Sequence, residues 1–444
     1  MDKDFLIVLK NSVSSGIHNN WLRLLQLIIA GLSFVYILQS FSLLRLNTDA
    51  VIFLSLADSF VKGHGLVYHG LPTHFPPGYP VLIALLDFCR FCNSSGLILL
   101  NIAFFAAGNI VLYYISLNLF CFKKADSFII IIITLLSYIF IKHITLPLSD
   151  IVFYGFSMTA IGVFSLIENK ENRHRLILII IGIILTGLAI ITRTIGLAII
   201  IALVLYLVNN KFIKNRYFFN ISKAHIILAI ISAVTTILLL SILITNTMYF
   251  NEALQKYNKG GGILKGILWL WEVRIKELGE LGINFPIHKF PSDIRIVFPL
   301  FGLIILGTVI YAIFHRINNY RFVDYYIVTY VFILLFWPYA DARFWLPITP
   351  LMICLIGNTI GKISHENIRK AFTVYLLIFM IIGFGELYHS TRITFAGNRF
   401  PEYYGDDERL RETYRTFLSL NNTKRKDCIY NECLYLLKRY NNTK

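Results

Sequence analysis

The chain has 444 residues, 57% of them apolar or aromatic and only 15% charged, against about 25% charged in a typical soluble domain. Its mean hydropathy is +0.67. This excludes a string of soluble domains, and long apolar runs such as 128–136 exclude a β-barrel, whose strands alternate apolar and polar residues. The formal charge of +16 does not mark a nucleic-acid binder, because the lysines and arginines sit in short clusters between apolar runs rather than on one face.

In chain order, apolar runs of membrane-spanning length predict eleven helices, near 21–44, 97–120, 127–142, 151–167, 176–191, 194–208, 226–248, 296–314, 323–338, 344–360 and 371–388. The first run, Trp21 to Leu44, is too long for the apolar core of a signal peptide and reads as a retained span. The apolar piece 79–89 reads as an interfacial or re-entrant helix. Basic residues mark every second connection: Lys3, Lys10 and Arg23 before the first span, then Lys123–Lys124, Lys170–Arg175, Lys211–Lys223, Arg316–Arg321 and Lys362–Lys370. The positive-inside rule makes these cytoplasmic. The N-terminus is then inside and, with an odd span count, the C-terminus outside. The expected fold class is an all-α polytopic membrane protein. Residues 1–388 are expected to form one transmembrane domain, with a structured first external loop at 45–96 and a long external loop at 248–295. Residues 389–444 are expected to form a short extracytoplasmic tail.

The six cysteines are too few and scattered for a disulfide framework, and Cys89–Cys92 lacks the further ligands of a zinc site. A bridge between Cys428 and Cys433 is compatible with a tail outside the cytosol. Gly260–Gly262 lack the Lys-Ser/Thr of a phosphate loop and read as a hinge in the 248–295 loop.

The outward connections carry the chemistry. Asp49 follows the first span directly. Then come an apolar stretch, Gly63 and Gly65, and the rigid turn His74-Phe75-Pro76-Pro77-Gly78-Tyr79-Pro80. Prolines fix φ here and hold the loop in one shape. Later outward connections carry Asp150, Arg193, Asp341 and Arg343. Ionisable groups retained next to hydrocarbon mark function by default. Structural alternatives exist for each: Arg45 as a partner for Asp49, a helix N-cap at Asp150, and a salt bridge from Arg343 to Asp341. Asp58 reads as part of a solvated polar face.

This arrangement resembles the GT-C superfamily of polyprenyl-phosphate-sugar-dependent glycosyltransferases, in particular the protein O-mannosyltransferase and lipid A aminoarabinose transferase families. The likeness rests on Asp49, the run Ala57 to Gly65, and the segment His74 to Pro80. It continues at Leu146–Asp150, Ile191–Leu197 and Ala342–Pro350. Two positions depart from the pattern: Asp49 is followed by Ala50 rather than Glu, and Phe75 replaces a basic residue. The resemblance implies a hexosyl or pentosyl transferase of the cell envelope, in a bacterial inner membrane, working on the outer face with inversion. Asp49 would be the base and Arg343 and Arg193 the donor-phosphate ligands. Asp150, His74, Tyr79, Lys62 and His64 would support the substrates. The implied partners are a polyprenyl-phosphate-linked sugar, an acceptor glycolipid, glycan or protein, and membrane lipids, with no nucleic acid. No cofactor is expected to be required, since a divalent ion shared by Asp49 and Asp150 would lack a third ligand. The rival readings are a flippase or transporter of lipid-linked saccharides and an O-antigen polymerase or ligase. No internal repeat of the transporter kind is found.

Overall fold

The computed structural model describes residues 3–73, 75–168, 174–209, 255, 262–317, 320–404, 408–420 and 428–441. The fold is all-helical apart from one two-stranded ribbon, β1 (Val67–Tyr68) and β2 (Leu71–Pro72), paired antiparallel. The described helices are α1 (Lys3–Leu38), α2 (Thr48–Val61), α3 (Gly78–Phe88), α4 (Ser94–Asn118), α5 (Lys124–Leu135), α6 (Tyr138–Ile144), α7 (Ser149–Glu168), α8 (Arg175–Thr192) and α9 (Leu197–Val208). After the undescribed stretch come α10 (Ile263–Ile283), α11 (Val297–Arg316), α12 (Phe322–Leu335), α13 (Thr349–Gly361), α14 (Glu366–Thr394), α15 (Phe400–Tyr403), α16 (Glu408–Phe417) and α17 (Cys428–Tyr440).

Among the described residues, six helices are long and apolar enough to cross a bilayer, and α5 with α6 makes a seventh, bent by 55°. A helix stands at every predicted span except 226–248, which lies outside the described residues, but α9, α12 and α13 are shorter than a full crossing. α3, at 11 residues, is about 16 Å long, half the hydrocarbon thickness. This agrees with its reading as a piece that does not cross.

α7 sits mid-bundle, buried on nearly all sides, against α4 and α8. The break between α5 and α6 frees backbone groups that must be satisfied inside the protein. Buried Asn284, in the left-handed conformation that ends α10, does this: it donates to the carbonyls of Leu136 and Phe379 (2.9 Å each) and accepts from Tyr138 N–H (2.7 Å). α10 and α11 touch backbone to backbone at Gly279 and Gly302, where any Cβ would collide with the facing main chain.

A second apolar core lies outside the bundle. It joins α2 and α3 to the start of α7 and to the tail helices α15–α17. Tail residues grip the segment leading to Asp49: Tyr414 donates to the Leu44 carbonyl (2.6 Å) and accepts from Leu46 N–H (3.0 Å), Tyr404 donates to the Leu46 carbonyl (2.7 Å), and Asn441 accepts from Leu44 N–H (2.8 Å). Cys433 is buried in this core, and the side chain of Cys428 lies outside the described residues.

Candidate active site

α2 begins at a clear N-cap. Asn47 is extended, and its side chain accepts from Ala50 N–H (2.8 Å), the arrangement that satisfies a first-turn donor. Asp49 therefore stands in the first turn, where the helix dipole favours its negative charge. Arg343 donates through Nη2 to Asp49 Oδ2 across 294 residues of chain. Its Nε lies 3.2 Å from Asp341, which also accepts from Arg343 N–H (3.0 Å) and starts the short 3-10 turn Ala342–Trp345. Burial would raise the Asp341 carboxyl, but Arg343 and His143 outweigh it and hold the group below the usual carboxylate range.

Arg193 lies in the extended link after α8 and ion-pairs with Asp150, a fully buried acid in the first turn of α7. Close contact of Gly78 with the backbone of Ile191 and Thr192 docks the Pro-Pro-Gly-Tyr-Pro turn beside Arg193. A Cβ at Gly78 would fall 2.8 Å from Ile191 C and O.

These groups line one cavity of about 270 Å³: Asp49, Asp150, Arg193, Asp341 and Arg343, walled by Phe53, Phe75, Trp337 and Tyr339. Phe344 is its cationic hub. Its ring centroid lies 4.9 Å from the Arg193 guanidinium, 5.4 Å from that of Arg343 and 6.0 Å from that of Arg274, within cation–π range.

Sequence reasoning missed Arg274 and Glu277. Both are buried in α10 and ion-paired with each other. Arg274 donates to the carbonyls of Trp337 (2.8 Å) and Tyr339, and Glu277 accepts from Trp345 Nε1–H (2.9 Å). The pair thus holds both ends of the loop that presents Asp341 and Arg343. Burial pushes the Glu277 carboxyl up to about 7, with Arg274 and Trp345 pulling the other way. The signal was present: two opposite charges at i, i+3 just after Trp269 and Trp271 in a largely apolar helix.

The other expected residues are placed as follows. Tyr79 is wholly buried, its ring edge-on to Phe53 at 5.4 Å, and its hydroxyl makes no hydrogen bond among the described residues. Its ring packs in the second core rather than opening into the cavity. Lys62 closes the far end of α2, about 20 Å along the helix from Asp49, where it bonds Asp58 (2.8 Å) and Tyr435 (3.0 Å). His64 is exposed just beyond. Neither lines the cavity. His74 lies outside the described residues, as do Gly260 and Gly261. Asp58 is not solvated: it is buried and paired with Lys62 and with Arg439 of the tail. Arg45 does not pair with Asp49; it turns to Ser42, Ser390 and Thr394. Phe75, in place of a basic residue, packs edge-on against Phe53 at 5.2 Å and walls the cavity.

Among the described residues no group of three or more His, Cys, Asp or Glu side chains is arranged to hold a metal ion. Asp49 and Asp150 are each bound to their own arginine. The constellation can accept a proton at a carboxylate and hold an oxyanion on two guanidinium groups.

No protein-family model matches the chain, and no curated protein sequence matches it. Solved structures do. The fold aligns with ArnT from Cupriavidus metallidurans bound to undecaprenyl phosphate at a TM-score of 0.52 and 12% identity, over 90% of this chain and 69% of that one. It aligns with the same protein in the apo state at 0.52 and 13%, over 91% and 69%. The oligosaccharyltransferase AglB from Archaeoglobus fulgidus, in complex with an inhibitory peptide and a dolichol-phosphate, aligns at 0.49 and 12%, over 90% and 60%. The chain shares the all-helical, polytopic membrane fold of the ArnT structure.

Proposed function

We propose that the chain is an integral membrane glycosyltransferase that moves a sugar from a polyprenyl phosphate to an acceptor hydroxyl, with inversion at C1, on the extracytoplasmic face of a bacterial inner membrane. The observation that carries this reading is the pairing of Asp49 with Arg343 in a cavity shared with Arg193. It sits on a fold shared with an ArnT structure that holds undecaprenyl phosphate.

The acceptor oxygen forms a bond to C1 as the bond from C1 to the phosphate oxygen breaks. The acceptor proton passes to Asp49, and the lipid phosphate leaves as an anion. The transition state has oxocarbenium character, so stabilising the departing phosphate matters most. A guanidinium suits this because it grips phosphate oxygens bidentately. Without donor, Arg343 is held by Asp49. A donor phosphate would compete for that guanidinium, and its arrival would leave Asp49 free to take the proton. The pair thereby ties the base to the presence of donor. Arg193 stays anchored by Asp150 and supplies a fixed second cation.

The test is mass spectrometry of glycolipids and glycoproteins from cells lacking the chain. One sugar-modified species should disappear, return with the wild-type chain, and stay missing with Asp49→Asn made at wild-type level. Full restoration by Asp49→Asn overturns the reading.

A further inference from the structure

A second cavity, of about 520 Å³, lies beside the same turn of α2. Asn47 and Thr48, the two residues before Asp49, line it. Its other walls come from the end of α6, from 286–289, from the end of α14 and from the tail. Arg45, Lys142, Lys289 and Arg409 line it, and among the described lining residues Glu386 is the one carboxylate, 3.7 Å from Lys289.

Arg45 is the telling residue. It is only 4% exposed, yet its partners are all neutral: Ser42 Oγ (3.1 Å), Ser390 Oγ (3.1 Å) and carbonyl (2.9 Å), and Thr394 Oγ1 (3.0 Å). The hydroxyls of Ser390 and Thr394 donate to Gln39 Oε1, so they turn their lone pairs toward the guanidinium. No carboxylate compensates it among the described residues. Burial pulls its pKa down to about 10, which leaves it charged at neutral pH. A buried cation without an anion is strongly unfavourable, and a group retained in that state beside an open cavity fits an anionic ligand. Tyr68, Tyr138, Tyr403, Tyr404 and Tyr430 also line the space, an aromatic wall of the kind that suits a sugar.

We propose that this cavity binds a phosphate-bearing sugar, held by Arg45, Lys142 and Arg409. Its assignment as the acceptor rests on the glycosyltransferase reading above; the anion site itself does not. As acceptor, the sugar would approach the first turn of α2 from the side opposite the donor cavity. The phosphate belongs either to a glycolipid headgroup or to a soluble sugar phosphate.

The test uses the full chain in phosphatidylcholine nanodiscs without donor, titrated with glucose 1-phosphate and with uncharged methyl glucoside. Glucose 1-phosphate should saturate and bind at least tenfold more tightly. Lys142→Gln and Arg409→Gln, which leave the core intact, should each weaken it about tenfold, and Arg343→Ala should leave it unchanged. A further arm replaces a tenth of the lipid with phosphatidic acid. Competition with glucose 1-phosphate assigns the site to a headgroup phosphate, and undiminished binding assigns it to a soluble one. Equal binding of the two sugars overturns the proposal. So does indifference to both cavity variants, or loss of binding in Arg343→Ala, which would put the anion in the other cavity. Activity in Asp49→Asn would remove the acceptor assignment while leaving this binding result standing.

Discussion

Beside Asp49, each guanidinium lining the cavity touches carboxylates: Arg343 meets Asp49 and Asp341, and Arg193 meets Asp150. Across the same turn of α2, Arg45 is more deeply buried and meets hydroxyls, a carbonyl and the ring of Tyr404, with no carboxylate among the described residues. The first cavity is neutralised internally, so an incoming phosphate must displace an existing partner. The second contains a guanidinium, Arg45, that no carboxylate among the described residues neutralises, so an anion only adds to what is there. Paired charges make a site that can exchange partners during a reaction, whereas an uncompensated one makes a site suited to holding a ligand.

Several changes would break or sharpen this contrast. The largest effect is expected from Asp49→Asn, which keeps size and first-turn geometry but removes the proposed base. Transfer should fall by about 10²–10⁴-fold with unchanged expression and thermal stability. Arg343→Ala should cost about 3 kcal/mol in the transition state, read as a fall in kcat/KM for the lipid donor; an unaltered donor dependence would remove that residue from the site. Arg274→Met should lower stability by about 3 kcal/mol, because it leaves Glu277 buried without its cation. It should also impair donor use, by releasing the loop that carries Arg343. Stability loss with normal donor kinetics would confine the pair to a structural role.

The smallest effect concerns pH. Glu277 is raised from its ordinary 4.5 to about 7 in the folded protein, so between those values the native state holds a proton that the unfolded chain has lost. Stability from this group is therefore greatest at the acid end of that window and declines as pH rises toward 7. Melting profiles of wild type and Glu277→Gln should differ by that slope, and parallel profiles would show that Glu277 is ionised throughout.

Much of the site was legible in the sequence. Asp49, Asp150, Arg193 and Arg343 stand out as charges at the ends of apolar runs, and they meet in one cavity because alternate connections share one end of the bundle. The opposite end gathers Arg316, Arg321, Lys362 and Arg369 around a separate cavity, as the alternation of basic loops predicts. What was hidden depends on contacts across hundreds of residues. Asp58 looked solvated because its partner, Arg439, is 381 positions away. Arg45 looked like the neighbour of Asp49, but its partners lie in α14. The tail looked like an appendage, yet Tyr404 and Tyr414 hold the strand-like lead into α2. Local pattern reports burial and topology; it does not report which buried charge finds which partner.

The most direct check on the central claim is retention of undecaprenyl phosphate by the purified chain, followed by native mass spectrometry. Wild type should keep one lipid phosphate, Arg343→Ala should lose it, and Lys142→Gln, in the other cavity, should keep it. Equal retention by Arg343→Ala and wild type would contradict the account.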